Sequence, residues 1–487
     1  MFGYPKEDTV AGIVVFLVAI PLCLGIAVAC GVPPVSGLIA GICGGLIVPW
    51  ISRSPLSVTG PAAGLTSIVL AEVTRLGGIP PFLTAVLLAG VLQATLGVLQ
   101  LGRFSALVPS AVIKGMLAAI GITIIWKQLP VAFGVTGGLS DIPGQMHPGA
   151  TAIAVASLAL LYGWKYTPMA RNKLISPALV TVVAASALAQ FLRGSEFGLS
   201  PGQYVEVPLG GIAGLAAALP RPDLSAAVRP DVWIAAATIA VVASIETLLS
   251  VQAVDRLDPL KRRSPPDREL LAQGTANAVS GFLGGLPVTA VIVRSGANVA
   301  AGARERMSAL VHGALLLLAV VFAGPVLNMI PLACLAAVLI QVGLNLCKPA
   351  LFTTQVKLGI TQLLPFAITI FAVLALDLLK GVIVGIVMGI LFVLYENSKR
   401  AVVAERDEAG RWKMRFRRDG TFVSKPGIVS ALEDIDDGEE VLIDGSGEYI
   451  DHDVKEVIAI FMDDAKHRKI KVTVVGIDLA HAQPGGH

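Results

Sequence analysis

Charge is scarce in this sequence. Asp, Glu, Lys and Arg together make up 15% of 487 residues, too little to solvate the surface of an ordinary soluble protein. Cysteine is scarce as well. Cys23, Cys30, Cys43, Cys334 and Cys347 all lie in or beside apolar runs, and no CxxC pair occurs, so neither a disulfide framework nor a zinc site is indicated. There is no metal spacing among the six histidines, no Walker-type glycine loop and no G-x-S-x-G turn. These absences argue against an ATP-driven pump, a membrane enzyme and any cofactor. A net charge of +3 gives nucleic-acid binding no support.

What is present is apolar sequence in long blocks. Hydrophobic residues reach 55% and the mean hydropathy is +0.77. Stretches of the length that crosses a bilayer, about 20 residues, recur from Thr9 to Tyr395. Fourteen segments are predicted. The first seven lie near 9–30, 34–52, 60–74, 80–101, 108–132, 148–164 and 174–193. The second seven lie near 231–253, 269–285, from 294, then 307–329, 331–347, 361–379 and 381–396. The third and tenth look short. The first run starts directly after Lys6, Glu7 and Asp8 and reads as a membrane helix rather than a cleaved signal. The expected fold is therefore an all-α polytopic membrane domain over residues 1–400, with repeat one at about 8–195 and repeat two at about 230–397.

Basic residues orient this arrangement. With the N-terminus inside, inner loops hold Arg53, Arg103, Lys165, Arg171, Arg256 and the Lys261–Arg263 run, whereas outer loops hold few, among them Arg75, Arg193 and Lys380. That bias favours an even number of spans with both termini cytoplasmic and makes residues 194–230 an external connector; the inner (plasma) membrane is the expected location. Pro109–Gly121 overlays Pro331–Gly343, with Pro, Ala, Leu and Gly coinciding at four places. The overlay pairs the fifth helix with the twelfth. An odd offset of seven makes the repeats inverted. After Tyr395 the composition turns polar, and strand and helix patterns alternate through residues 401–487, which reads as a small cytoplasmic α/β module.

The informative residues are the polar ones inside the apolar runs. Gly284–Gly296 is broken by glycine and proline and ends in Arg294 and Ser295. It predicts an extended approach through Pro287 and a helix starting near Arg294, where free N–H groups and a guanidinium would face an anion. Thr59-Gly60-Pro61-Ala62 repeats the pattern in the first half, with the helix start placed at Pro61. Thr59, Thr66 and Val293 are further candidate contacts. Glu246 sits mid-helix, where a carboxylate costs about 2.5–3.5 kcal/mol on insertion scales, and Ser250 lies one turn later on the same face. Two readings stand for Glu246: a coupling carboxylate for H+ or Na+, or a structural partner of Arg294. Two also stand for Arg294: an anion ligand, or a side chain that snorkels to the cytoplasmic surface. Lys114 and Lys127 read as snorkelling or paired, and Asp377 with Lys380 as caps of a tight turn.

These residues resemble the sulfate-permease (SulP) family of anion transporters. The resemblance is carried by Asp8–Gly12 with Ala19-Ile20-Pro21, by Thr59-Gly60-Pro61, and by Ala272-Gln273-Gly274 with Ala276-Asn277. Pro287 ahead of Arg294-Ser295, Ala301–Arg304 and Asp377–Gly381 complete the order. The resemblance implies seven-plus-seven inverted repeats split into core and gate domains, with the anion between the third and tenth helix starts. It implies Glu246 as the coupling or binding carboxylate, Arg294 as the anion-site arginine, a C-terminal STAS domain, elevator-type alternating access and commonly a homodimer. Two departures stand out. Leu22 replaces a polar Gln found in many relatives, and Ile450-Asp451-His452-Asp453-Val454 lacks the serines of the usual STAS motif. Alternatives remain a nucleobase transporter of the same fold and an anion channel or scaffold acting through the tail.

Overall fold

The computed structural model describes residues 3–103, 109–135, 137–171, 176–376, 378–400, 402–407, 410–417 and 419–479. Fourteen principal helices occur where fourteen membrane segments were expected. In the first half they are α1 Pro5–Ala29, α2 Pro34–Ile51, α3 Thr66–Leu76, α4 Ile79–Val98, α5 Ser110–Ala132, α6 Pro148–Gly163 and α7 Pro177–Phe191. In the second they are α8 Pro230–Leu257, α9 Pro266–Phe282, α10 Ile292–Ala300, α11 Met307–Phe322, α12 Leu332–Leu346, α13 Ile360–Ala375 and α14 Leu378–Arg400. Six helices among the described residues are long and apolar enough to span a bilayer by themselves, and shorter apolar helices accompany them. Trp126, Phe191 and Phe322 are exposed, as an outer surface facing hydrocarbon requires. Asp377 lies outside the described residues.

Two of the fourteen are much shorter than the rest. α3 has 11 residues and α10 has 9, and each follows a three-residue strand: β1, Thr59–Pro61, and β2, Val288–Ala290. The strands pair antiparallel, Thr59 opposite Ala290 and Pro61 opposite Val288. The helix start expected at Pro61 is thereby corrected. Pro61 belongs to the strand, a 3-10 turn fills Ala63–Leu65, and the α-helix begins at Thr66. Pro61 brings no N–H to the ladder and sits at its end, where none is needed.

Other helices pack through small residues, as helices do where lipid removes the hydrophobic drive between them. One instance joins the two halves of the sequence overlay. A methyl group on Gly121 of α5 would lie 2.5 Å from the Gly343 carbonyl of α12, and one on Gly343 would lie 2.7 Å from the Gly121 carbonyl. Two residues that align in the overlay thus meet face to face, as do the two strands.

The chain divides into two compact units, residues 1–353 with 369–382, and residues 354–368 with 383–487. The second unit begins earlier than the break in composition near residue 400. It carries a four-stranded sheet: β3 Val402–Arg406, β4 Trp412–Phe416, β5 Glu440–Asp444 and β6 Lys471–Val475. β3 pairs antiparallel with β4, and β4, β5 and β6 run parallel. Helices α15 Lys425–Glu433 and α16 His452–His467 supply the crossovers, and Val454, Ile458 and Phe461 of α16 bury against Ile443 and Ile428. Asp451 caps α16, accepting from the Val454 N–H at 3.0 Å. An aspartate rather than a serine suits an N-cap equally well. The strand β3 had no clear signal in the sequence pattern.

Candidate anion site

Strand β2 and helix α10 are held by polar side chains from neighbouring helices. Asn277 of α9 clamps Val288, accepting from its N–H at 2.6 Å and donating to its carbonyl at 3.0 Å. Thr247 of α8 accepts from the Ala290 N–H at 3.3 Å. Gln273 of α9 donates to Thr59 Oγ1 at 2.7 Å and to Glu269 Oε1 at 2.9 Å, and Ser52 donates to the other oxygen of Glu269. Each such bond contributes about 1 kcal/mol net, and each buried group would cost more if left unpaired. Glu269, Gln273, Asn277 and Ser280 fall at helical spacing on one face of α9, and all four are buried. None was predicted to shape the site, although that polar stripe in a membrane helix was the signal.

The starts of the two short helices line one cavity of about 80 Å³. Ala63 and Gly64 come from the β1–α3 arm, and Val291, Ile292, Val293 and Arg294 from the β2–α10 arm. Leu22, Met116, Ile120, Glu246, Ser250 and Val342 are among the other wall residues. Neither short helix has a side-chain cap at its N-terminus. At α10 this leaves the first N–H groups open to a ligand, and the helix dipole favours a negative one, whereas in the α3 arm the Leu65 and Thr66 N–H groups donate to the Ala62 and Ala63 carbonyls.

The expected site residues divide into three groups. Glu246, Ser250, Val293 and Arg294 reach the cavity. Thr59, Gly60, Pro61 and Ala62 are buried in or beside the strand pair, and Thr66 Oγ1 donates to the Ala63 carbonyl at 2.8 Å. Ser295 serves the framework: its hydroxyl accepts from the Val58 N–H at 2.9 Å and donates to the Val291 carbonyl at 2.8 Å. The polar groups of the cavity wall are thus chiefly backbone, Glu246 and Ser250.

Arg294 is placed differently from a surface anchor. It is wholly buried, and its guanidinium lies behind the strand pair, against Gly60 and near Gly41, Cys23 and Leu316. A side chain at Gly60 would collide with Arg294 Nη1. None of its three guanidinium nitrogens has a hydrogen-bond partner among the described residues. It forms no ion pair with Glu246. The Glu246 carboxylate instead faces the Gly64 N–H, so close that a methyl group on Gly64 would lie 2.7 Å from Oε2. One charge thus stands behind the junction of the two arms, and the opposite charge stands on the cavity side at the start of the α3 arm.

Comparison with known proteins decides the class. The profile of the Sulfate permease family matches residues 6–369. The chain belongs to the sulfate permease family. YbaR of Bacillus subtilis, provisionally named a sulfate transporter, is 26% identical over 451 residues, covering 91% of this chain and 88% of its own. The bicarbonate transporter BicA of Picosynechococcus is 26% identical over 406 residues, covering 79% and 69%. Murine Solute Carrier 26 family member A9, solved in its inward-facing state, superposes with a TM-score of 0.78 at 17% identity, covering 99% of this chain and 88% of its own. That protein is an anion transporter, and the likeness establishes the fold. The protein is therefore a multi-pass membrane protein of an anion-transporter family, with a small anion as substrate and no enzymatic role.

Proposed function

We propose that the protein is a secondary transporter of small oxyanions, sulfate, bicarbonate or a small dicarboxylate, working by elevator-type alternating access with H+ or Na+ coupling. It would act in the plasma membrane as a homodimer, with both termini cytoplasmic. The observation that supports this most is the convergence of two uncapped helix starts on a single cavity faced by Glu246. Substrate binding then rests on backbone N–H groups of Gly64 and of the Ile292–Arg294 turn, with the buried Arg294 adding positive potential from behind. A nucleobase would require carboxylates on both arms. The β2–α10 arm offers none.

Coupling follows from competition for one place. The Glu246 carboxylate already faces the Gly64 N–H, where the dipole of the α3 arm would attract the substrate. Two like charges in a water-poor cavity repel strongly. An anion can settle there only once Glu246 is neutralised by a proton or offset by Na+, so each anion is accompanied by a cation. The test is uptake driven by a pH or sodium gradient in proteoliposomes containing Glu246→Gln. The variant is expected to transport without responding to the coupling gradient. If the dependences on both H+ and Na+ survive intact, the coupling group lies elsewhere.

A further inference from the structure

Lys127 is a membrane-embedded lysine that borders three cavities. It lies on α5, where the residues facing the interior recur every three or four positions. Met116, Leu117 and Ile120 line the central cavity, and Ile120, Thr123, Ile124 and Lys127 line a small second cavity. That second cavity is closed on its far side by Ala63, Thr66 and Ser67 of the α3 arm, and it shares Ala63 and Ile120 with the central one. Lys127 then borders two larger cavities, of about 230 and 270 Å³. The wall of the first of these includes Leu199, Gly202 and Gln203 of the long connector between the halves. Seven residues of helix separate Ile120 from Lys127, about 10 Å along the axis.

Two features argue against a purely structural lysine. It is half-buried, while its neighbour Trp126 is exposed on the lipid-facing side, so the ammonium does not simply run outward along the helix. It has no hydrogen-bond or ion-pair partner among the described residues, and its titratable neighbour is the thiol of Cys30 rather than a carboxylate. An ammonium offers three donors. Here they stand between the open cavities and the hydroxyls of Ser67 and Thr66.

We propose that Lys127 forms an outer anion site, where a small oxyanion pauses between the external vestibule and the central cavity. This rests on the orientation and central site proposed above. The ammonium draws the anion out of water and places it one short step from the start of α3. That step opens when the α3 arm and α5 part on the outward side, because the narrow second cavity lies between them.

The test measures initial rates of sulfate and bicarbonate transport from both sides, in right-side-out and inside-out membrane vesicles, for wild type, Lys127→Ala and Lys127→Arg. Lys127→Ala is expected to raise the half-saturating concentration in right-side-out vesicles about three- to ten-fold relative to that in inside-out vesicles, the scale of one partly screened charge contact. Its external half-saturation should also depend less on ionic strength, and Lys127→Arg should restore both. An unchanged ratio, or Lys127→Arg as defective as Lys127→Ala, overturns the outer site and leaves central transport standing. A shift confined to inside-out vesicles overturns both the site and the orientation it rests on. Absence of saturable transport by the wild type overturns the transporter reading itself.

Discussion

Arg294 shows how much of this site depends on a missing side chain. A guanidinium buried without a hydrogen-bond partner is costly, and it is tolerated where its field acts on something nearby. Gly60 makes the space it occupies. Gly60→Ala should therefore push the guanidinium away from the strand junction while the strand pair, bonded through its backbone, remains. The expected outcome is a half-saturating anion concentration raised about ten-fold, equivalent to roughly 1.4 kcal/mol, with the melting temperature in detergent shifted by only a few degrees. Unchanged affinity would show that the Arg294 charge does not reach the cavity. The sequence made Arg294 and Glu246 conspicuous because each is a charge in an apolar run. It did not show where the guanidinium points, because Gly41 and Gly60, which it lies beside, come from other, distant elements. Leu22, Val291 and Ile292 give the cavity an apolar wall.

Among the elements, the two interrupted segments were the most legible and their boundaries the least. Glycine and proline at Gly60-Pro61 and Gly284–Pro287 announced a break, yet the exchange of a helix start for a strand at Pro61 required knowing that β2 lies opposite. Pairing across more than 220 residues leaves no local mark. The same limit applies to α5 and α12. Their overlay suggested an inverted repeat, and the contact of Gly121 with Gly343 places aligned residues against each other, as a local two-fold axis would. Gly121→Ala puts a methyl against a backbone carbonyl that cannot rotate away. We expect it to destabilise the helical unit by about 1–3 kcal/mol, read as a lowered melting temperature in detergent. A variant as stable as the wild type would mean that the two helices stand further apart in the membrane.

For the whole molecule, family membership rests on the order of motifs along 364 residues of profile match, from 6 to 369, and the fold on superposition with a relative of low identity. The C-terminal module lies beyond that match. It was legible as a βαβ pattern because α16 alternates buried and exposed residues at helical spacing, whereas β3, with no buried residue of its own, carried too little pattern to be seen. The proposed cradle of two helix starts backed by Arg294 would accept any small oxyanion. The central claim is that anions are bound and carried at the two helix starts in front of Arg294. Its most direct test is counterflow of labelled sulfate and bicarbonate in proteoliposomes, comparing wild type with Arg294→Ala. The account predicts saturable counterflow of at least one of these anions by wild type and its loss in folded Arg294→Ala; equal saturable counterflow by both proteins would contradict it.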